Sequence, residues 1–183
     1  MAIMPQEIVK RLYAALPSVR RWIDEYVLAH AAQARTVESL GLKRLSSYFP
    51  TTLLRQAKTV TVPLVQFPPV DRFGLPEFAQ MQQMSFGGIT FRDTYFLAQG
   101  QTSEEIHFHE LVHVVQWSRL GMDNFLLAYG LGLLQFGYER SPLEQMAFRL
   151  QADFQRGVVL PQLTRYIEVL TDGIWSGLAP NLH

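Results

Sequence analysis

The sequence predicts an α+β domain that is mostly helical and carries one small sheet. Helix start and stop signals recur over most of the chain. Alternating β-branched and aromatic residues, which are typical of strands, are confined to residues 59–66 and 89–97. The length of 183 residues and the hydrophobic content of 48% fit one globular core.

No internal repeat or low-complexity tract interrupts the sequence, so we expect a single domain over residues 1–183. Within it we distinguish an N-terminal helical segment (1–58), a core (59–157) and a C-terminal helix with a tail (158–183).

The N-terminal segment is predicted to form three helices. Pro5 can open the first helix, and Pro17 is expected to interrupt it, because a proline inside a helix removes a hydrogen bond. Ser18 can cap a second helix that continues to about Ala34. A short helix is predicted over residues 52–57.

The strands are predicted in the first half of the core. Residues 59–66 form one strand, in which Pro63 indicates either an edge position or an early end. A short helix is expected over 75–84. Residues 89–91 and 95–97 then form a hairpin around a tight turn.

Two helices are predicted after the hairpin. Thr102 and Glu105 match a capping box, in which each side chain satisfies a backbone N–H, for a helix that ends near Gly121. Asp123 can cap an apolar helix that continues to about Phe136.

Two further helices complete the chain. Ser141 and Glu144 match a second capping box, with Pro142 at the first helical position, and this helix should end near Gly157. The last helix is expected to begin at Pro161 and to cover residues 163–170.

Composition excludes several classes of function. There is no cysteine, which rules out disulfide scaffolds, cysteine-ligated zinc, iron–sulfur clusters and thiol catalysis. Sixteen basic and sixteen acidic residues cancel, so we expect no nucleic-acid partner. The longest apolar run, 125–136, is shorter than the roughly 20 residues of a membrane span, and no secretory signal is seen. A cytoplasmic protein without a membrane partner is expected.

The chemistry is concentrated in His109-Glu110-Leu111-Val112-His113, an H-E-x-x-H motif within a predicted helix. Histidines four residues apart lie on one helix face, so both imidazoles can bind one metal ion. Zn²⁺ is the expected cofactor, since catalytic zinc takes three protein ligands and a water. Glu110, displaced around the helix, is the candidate general base that takes a proton from that water.

A third zinc ligand must come from elsewhere in the chain. Glu144 is the first candidate, because it lies one turn into a new helix and the small Ala147 would allow close helix packing. Its place in the capping box with Ser141 partly competes with this role. The alternatives are Glu139, Asp123 and Asp153.

Other residues around the motif have more ordinary interpretations. His107 faces away from His109 and is expected at the surface or in an outer shell. Gln116 can hydrogen-bond near the site, and Trp117 is expected to pack. Tyr138 is the candidate donor to a developing oxyanion, and Arg140 is an alternative for that role.

The motif, the preceding Gly88-Ile89-Thr90-Phe91 and the following Pro142-Leu143-Glu144-Gln145-Met146-Ala147 resemble the zincin metallopeptidases of the gluzincin branch, in particular small bacterial domains with an H-E-L-x-H-V-x-Q helix. The resemblance covers about residues 59–154. It implies a zincin-like fold, in which the motif helix packs under a small sheet whose edge strand pairs with an extended substrate.

By this resemblance His109, His113 and Glu144 match the zinc ligands and Glu110 matches the general base. Gln116 and Arg119 exclude the metzincin pattern, which needs glycine and histidine at these positions. Phe148 stands where the thermolysin-like pattern has an aspartate that orients a histidine, so any such partner must come from elsewhere.

The sequence therefore predicts a zinc metallopeptidase with a peptide or protein substrate. Two alternatives stay open. One is a non-catalytic module that binds a protein or peptide and has a structural or vestigial metal site. The other is hydrolysis of a non-peptide amide or ester at the same site.

Overall fold

The computed structural model describes residues 6–182, and in this range helices predominate over one four-stranded sheet. The elements in chain order are α1 (Gln6–Ala29), β1 (Arg35–Thr36), α2 (Thr51–Gln56), β2 (Lys58–Val62), α3 (Ala79–Gln83), β3 (Gly88–Phe91), β4 (Thr94–Ala98), α4 (Glu104–Phe136), α5 (Pro142–Gln155) and α6 (Leu163–Leu178). Short 3-10 turns join several of them. The predicted α+β class is confirmed.

The first helix differs from its prediction, because α1 continues through Pro17 without a break. Pro17 lies on the exposed face, and so does Tyr13, whose carbonyl would otherwise accept the missing hydrogen bond. Water can satisfy that carbonyl, while the opposite, apolar face of α1 is buried in the core. The predicted helix start at Pro5 lies outside the described residues.

The sheet has the order β1-β2-β4-β3. The hairpin is confirmed: β3 and β4 are antiparallel, with Phe91 opposite Thr94 across a two-residue turn. The strand predicted over 59–66 ends at Val62, directly before Pro63. An edge position for that strand was the wrong alternative, because β2 lies between β1 and β4 and runs parallel to β4. Edge strand β3 packs against α4.

Helix α4 carries the H-E-x-x-H motif and bends where the sequence predicts a helix end. Gly121 has φ 72° and ψ 176°, a conformation that a residue with a side chain rarely adopts, and it separates residues 104–120 from the apolar residues 122–136. The N-terminal capping box is wrong, since Ser103 and not Thr102 precedes the first helical residue. Asp123 forms an ion pair with Arg20 of α1, with an N–O distance of 3.1 Å.

Helix α5 begins at Pro142 as predicted, but its capping box is also wrong. The Ser141 side chain makes no capping hydrogen bond, and Glu144 turns into the protein interior. The last helix, α6, extends to Leu178, well beyond the predicted end.

Two hydrophobic clusters form the core, and α4 and α5 contribute to both. Trp117 and Leu143 belong to the cluster that contains the buried face of α1. Leu111 and Met146 belong to the cluster that contains Leu163 and Ile167 of α6 and the segment around α2. Packing in both clusters therefore fixes the part of α4 that carries the H-E-x-x-H motif against the first turn of α5. Within residues 6–182, no helix combines the length and apolarity needed to cross a bilayer.

Candidate metal centre

The structure brings together His109, His113 and Glu144, and all three are buried. The Nε2 atoms of the two histidines are 3.1 Å apart. Oε2 of Glu144 lies 3.4 Å from Nε2 of His109 and 3.5 Å from Nε2 of His113. Two turns of α4 and the first turn of α5 thus direct three ligand atoms at one point.

These distances fit a common metal ion. Zinc binds nitrogen and oxygen ligands at about 2.0–2.1 Å, so in a tetrahedral site two ligand atoms are separated by roughly 3.3–3.4 Å. The three observed separations lie close to this value. Two imidazoles and one carboxylate also make up a recognised catalytic zinc ligand set, which leaves a fourth position open.

The outer nitrogen of each histidine has its own amide partner. Nδ1 of His109 is 2.9 Å from Oε1 of Gln151, and Nδ1 of His113 is 2.8 Å from Oε1 of Gln116. The Gln116 amide nitrogen donates to the carbonyl of Leu143 at 3.1 Å, which fixes its oxygen as the atom facing the ring. Nδ1–H of His113 therefore donates, and its Nε2 is the ring atom that faces the other candidate ligands.

The carboxylate of Glu144 is divided between two roles. Its Oε1 accepts a hydrogen bond from the hydroxyl of Tyr129 at 2.7 Å. Its Oε2 is buried and accepts no hydrogen bond from any residue between 6 and 182. A buried carboxylate oxygen is costly unless a positive charge faces it, and either a bound metal ion or a protonated His113 would supply that charge, so this atom supports a cation at the site.

The charges of the site are strongly coupled. Burial alone would raise the pKa of Glu144, but the two imidazoles outweigh it and hold this pKa well below its usual range. Burial alone would lower the pKa of His113, but Glu144 outweighs it and raises that pKa to about 9. A positive charge is therefore favoured between these ligands.

Glu110 lies beside the ligand group and is not part of it. Its Oε2 accepts a hydrogen bond from the Thr90 hydroxyl at 2.6 Å, and it lines the same cavity as the three ligands. Burial raises its pKa above the ordinary carboxyl value. A Cβ on Gly88 would lie 2.9 Å from the Glu110 carboxyl carbon, so the glycine of strand β3 makes room for this side chain.

Tyr138 follows α4 and also lines the cavity. Burial, followed by the carboxylates of Glu144 and Glu110, raises the pKa of its phenol, which therefore stays protonated and able to donate. Arg140, the alternative oxyanion donor, is exposed and does not line the cavity.

The other candidate third ligands lie elsewhere. Glu139 is exposed, Asp123 pairs with Arg20, and Asp153 pairs with Arg156 on the surface of α5.

Several supporting residues were missed by sequence reasoning. Gln151 follows Glu144 by seven residues, two turns along the same face of α5, and this spacing was the available signal. Tyr129 and Thr90 carried no local signal. The surface alternative for His107 was wrong, because this residue is buried and its Nδ1 lies 2.7 Å from the Tyr95 hydroxyl.

Comparisons with protein-family profiles, with curated proteins and with solved structures give no significant match to this chain.

Proposed function

We propose that this protein is a zinc-dependent hydrolase that cleaves an amide bond, with a site of the gluzincin type. The observation that carries the proposal is the convergence of Nε2 of His109, Nε2 of His113 and Oε2 of Glu144 at mutual distances of 3.1–3.5 Å. Glu110, which is buried, and Tyr138, which is partly buried, line the same cavity as these ligands, and we propose a different catalytic role for each.

His109, His113 and Glu144 would hold the ion. A zinc ion bound there supplies Lewis acidity and lowers the pKa of a coordinated water to about 7. Gln116 keeps the His113 ring in the tautomer that offers Nε2, Gln151 holds the His109 ring in place, and Tyr129 keeps Oε2 of Glu144 turned toward both rings.

Glu110 acts as the general base and then as the acid. The Thr90 hydrogen bond holds its carboxylate at the cavity, and its raised pKa brings the proton affinity closer to that needed near neutral pH. It takes the proton from the attacking water and delivers it to the leaving amine. Tyr138, protonated at neutral pH, can donate to the oxygen of the attacked carbonyl.

The test combines metal analysis with one conservative variant. Protein purified without chelator should contain one zinc per chain; iron(II), which accepts the same ligand set, is the alternative to be measured. Glu110→Gln should retain the metal and lose hydrolysis of an amide library. A protein that holds no metal would refute the proposal. Metal binding with equal activity in both forms would remove Glu110 as the base, and metal binding with no activity in either would favour a non-catalytic module.

A further inference from the structure

The cavity that contains the candidate centre is polar at one end only. It has a volume of about 110 Å³, and its ionisable groups are the three ligands, Glu110 and the two tyrosines already described. Beyond them the lining is aliphatic and aromatic apart from the Thr90 hydroxyl, and it comes from α1, the segment 67–78, Phe86, strand β3, Trp117 and the second half of α4. The candidate metal ligands and Glu110 therefore lie at one end of a cavity that is otherwise apolar.

The shape of this space follows from the helices that line it. Leu12, Ala15, Leu16 and Val19 of α1 lie on successive turns and face the cavity. These turns span about 10 Å of helix axis, since each residue rises 1.5 Å. Cavity-lining residues in the second half of α4, 125–133, cover a similar length. Because a volume of about 110 Å³ lies between helices that line it over this length, we interpret the cavity as a narrow channel.

Gly130 leaves room in this channel between α1 and α4. It lies inside the second half of α4, where glycine weakens a helix, and it lines the cavity. A Cβ at this position would lie 3.2 Å from Cδ2 of Leu12 and 3.8 Å from Cζ of Phe78. Any longer side chain would occupy the space between α1 and α4.

The edge of the sheet is less open to an extended peptide than a zincin-like site requires. The backbone amide of Ala98 donates to the carbonyl of Gly87 at 2.9 Å, so the backbone groups of Gly87 face strand β4. In an antiparallel pair the N–H and C=O groups of alternate residues face the partner strand and the outside in turn. The Thr90 carbonyl, three residues further along, therefore faces the free edge of β3. The indole N–H of Trp117 donates to that carbonyl at 3.1 Å. A peptide added alongside β3 would have to displace this bond.

We infer that the channel binds an unbranched acyl chain and that the substrate is an N-acyl amide, with its carbonyl at the metal centre and its chain between α1 and α4. The inference rests on the proposed function and names its substrate class. In the reaction the oxygen of water bonds to the acyl carbon and the carbon–nitrogen bond breaks. The products are a fatty acid and an amine, and Glu110 passes the proton from water to that amine.

The test uses binding, so that it does not depend on turnover. Straight-chain hydroxamates, whose head group binds zinc, are titrated into zinc-loaded protein by calorimetry, from acetohydroxamate through the hexanoyl to the decanoyl compound. Affinity should rise about fourfold per added methylene, which corresponds to about 0.8 kcal/mol, until the channel is full.

Gly130→Leu should abolish this gain for the decanoyl compound and leave acetohydroxamate binding unchanged. Gly173→Leu is the matched control, since Gly173 is also helical but has open space around it. Should Gly130→Leu fail to fold, Ala15→Leu enters the channel from the opposite wall.

Three other results of the hydroxamate titration would each contradict a specific part of the proposal. Affinity that does not change with chain length would refute the acyl-chain assignment and leave the metal site intact. A short branched hydroxamate that binds as tightly as the decanoyl compound would assign the channel to a peptide side chain. Failure of every hydroxamate to bind a zinc-loaded protein would refute the open metal site, and the proposed function with it.

Discussion

The hydroxyl of Tyr129 donates to Oε1 of Glu144 and leaves Oε2 of the same carboxylate facing His109 and His113. One hydrogen bond from the apolar half of α4 therefore determines which carboxylate oxygen is offered to a metal. The same bond connects the ligand helix α5 to the wall of the apolar channel, which Tyr129 also lines.

Tyr129→Phe should weaken zinc binding by about tenfold, because it removes a partner that orients a ligand without removing the ligand. The measurement is competition for zinc with a chromogenic chelator. Tyr166→Phe, at an exposed position on α6, is the control. An unchanged zinc affinity in Tyr129→Phe would show that Glu144 is oriented by its helix alone.

Glu144→Ala should reduce zinc affinity by more than about a hundredfold, beyond the usual effect of losing an outer partner. The reason is that two imidazoles remain where three ligand atoms now converge. Glu139→Ala, which removes an exposed carboxylate five residues earlier, should bind zinc normally. The assignment of Glu144 fails if the two variants bind zinc equally well.

Zinc uptake should release a proton near neutral pH. The pKa of His113 is raised to about 9 in the metal-free site, whereas a ligating imidazole must be neutral at Nε2. Zinc therefore displaces a proton below this pKa, and apparent affinity should rise about tenfold per pH unit from 7 toward 9 and then level off. Calorimetry in buffers of different ionisation enthalpy counts the proton. A flat affinity over this range would contradict the raised pKa.

Gly88→Ala should displace Glu110 and destabilise the protein by about 1–3 kcal/mol, the usual cost of overpacking. The added methyl group would meet the Glu110 carboxyl carbon and Cδ2 of Leu97, each at 2.9 Å. Chemical denaturation measures the loss of stability. Hydrolysis should fall as well, while zinc content is retained. Gly173→Ala, in open space on α6, should not lower stability, and equal behaviour of the two variants would argue against close packing over Glu110.

The parts of the site that follow from helix geometry could be predicted from the sequence. The spacing of His109 and His113 places both rings on one face of any helix, and Gly121 marks the break in α4. Glu144 could be proposed because it lies in the first turn of the next helix. Its inward rotation depends on packing between α4 and α5, which also explains why the capping box with Ser141 does not form.

The features that could not be predicted from the sequence depend on contacts between distant parts of the chain. The parallel pairing of β2 with β4 joins segments separated by the whole of residues 63–93, and no local pattern encodes it. Tyr129 is a polar residue on a helix, and only the tertiary arrangement shows that it faces a ligand. The spacing of Gln151 from Glu144 places both on one face of α5, but only the structure shows that Gln151 meets His109. Continuity of α1 across Pro17 likewise depends on its buried face packing in the core.

Helix α1 forms one wall of the apolar channel, and its distance along the chain from α4 affects the order of folding. Helices α4, α5 and α6 follow one another and can pack soon after each forms, whereas the Arg20–Asp123 ion pair joins residues 103 positions apart in the chain. Contacts at such separations carry the largest loop-closure entropy. We therefore expect the contacts between α1 and α4 that line the channel to form later in folding than the packing of α4 against α5, which brings the proposed metal ligands together.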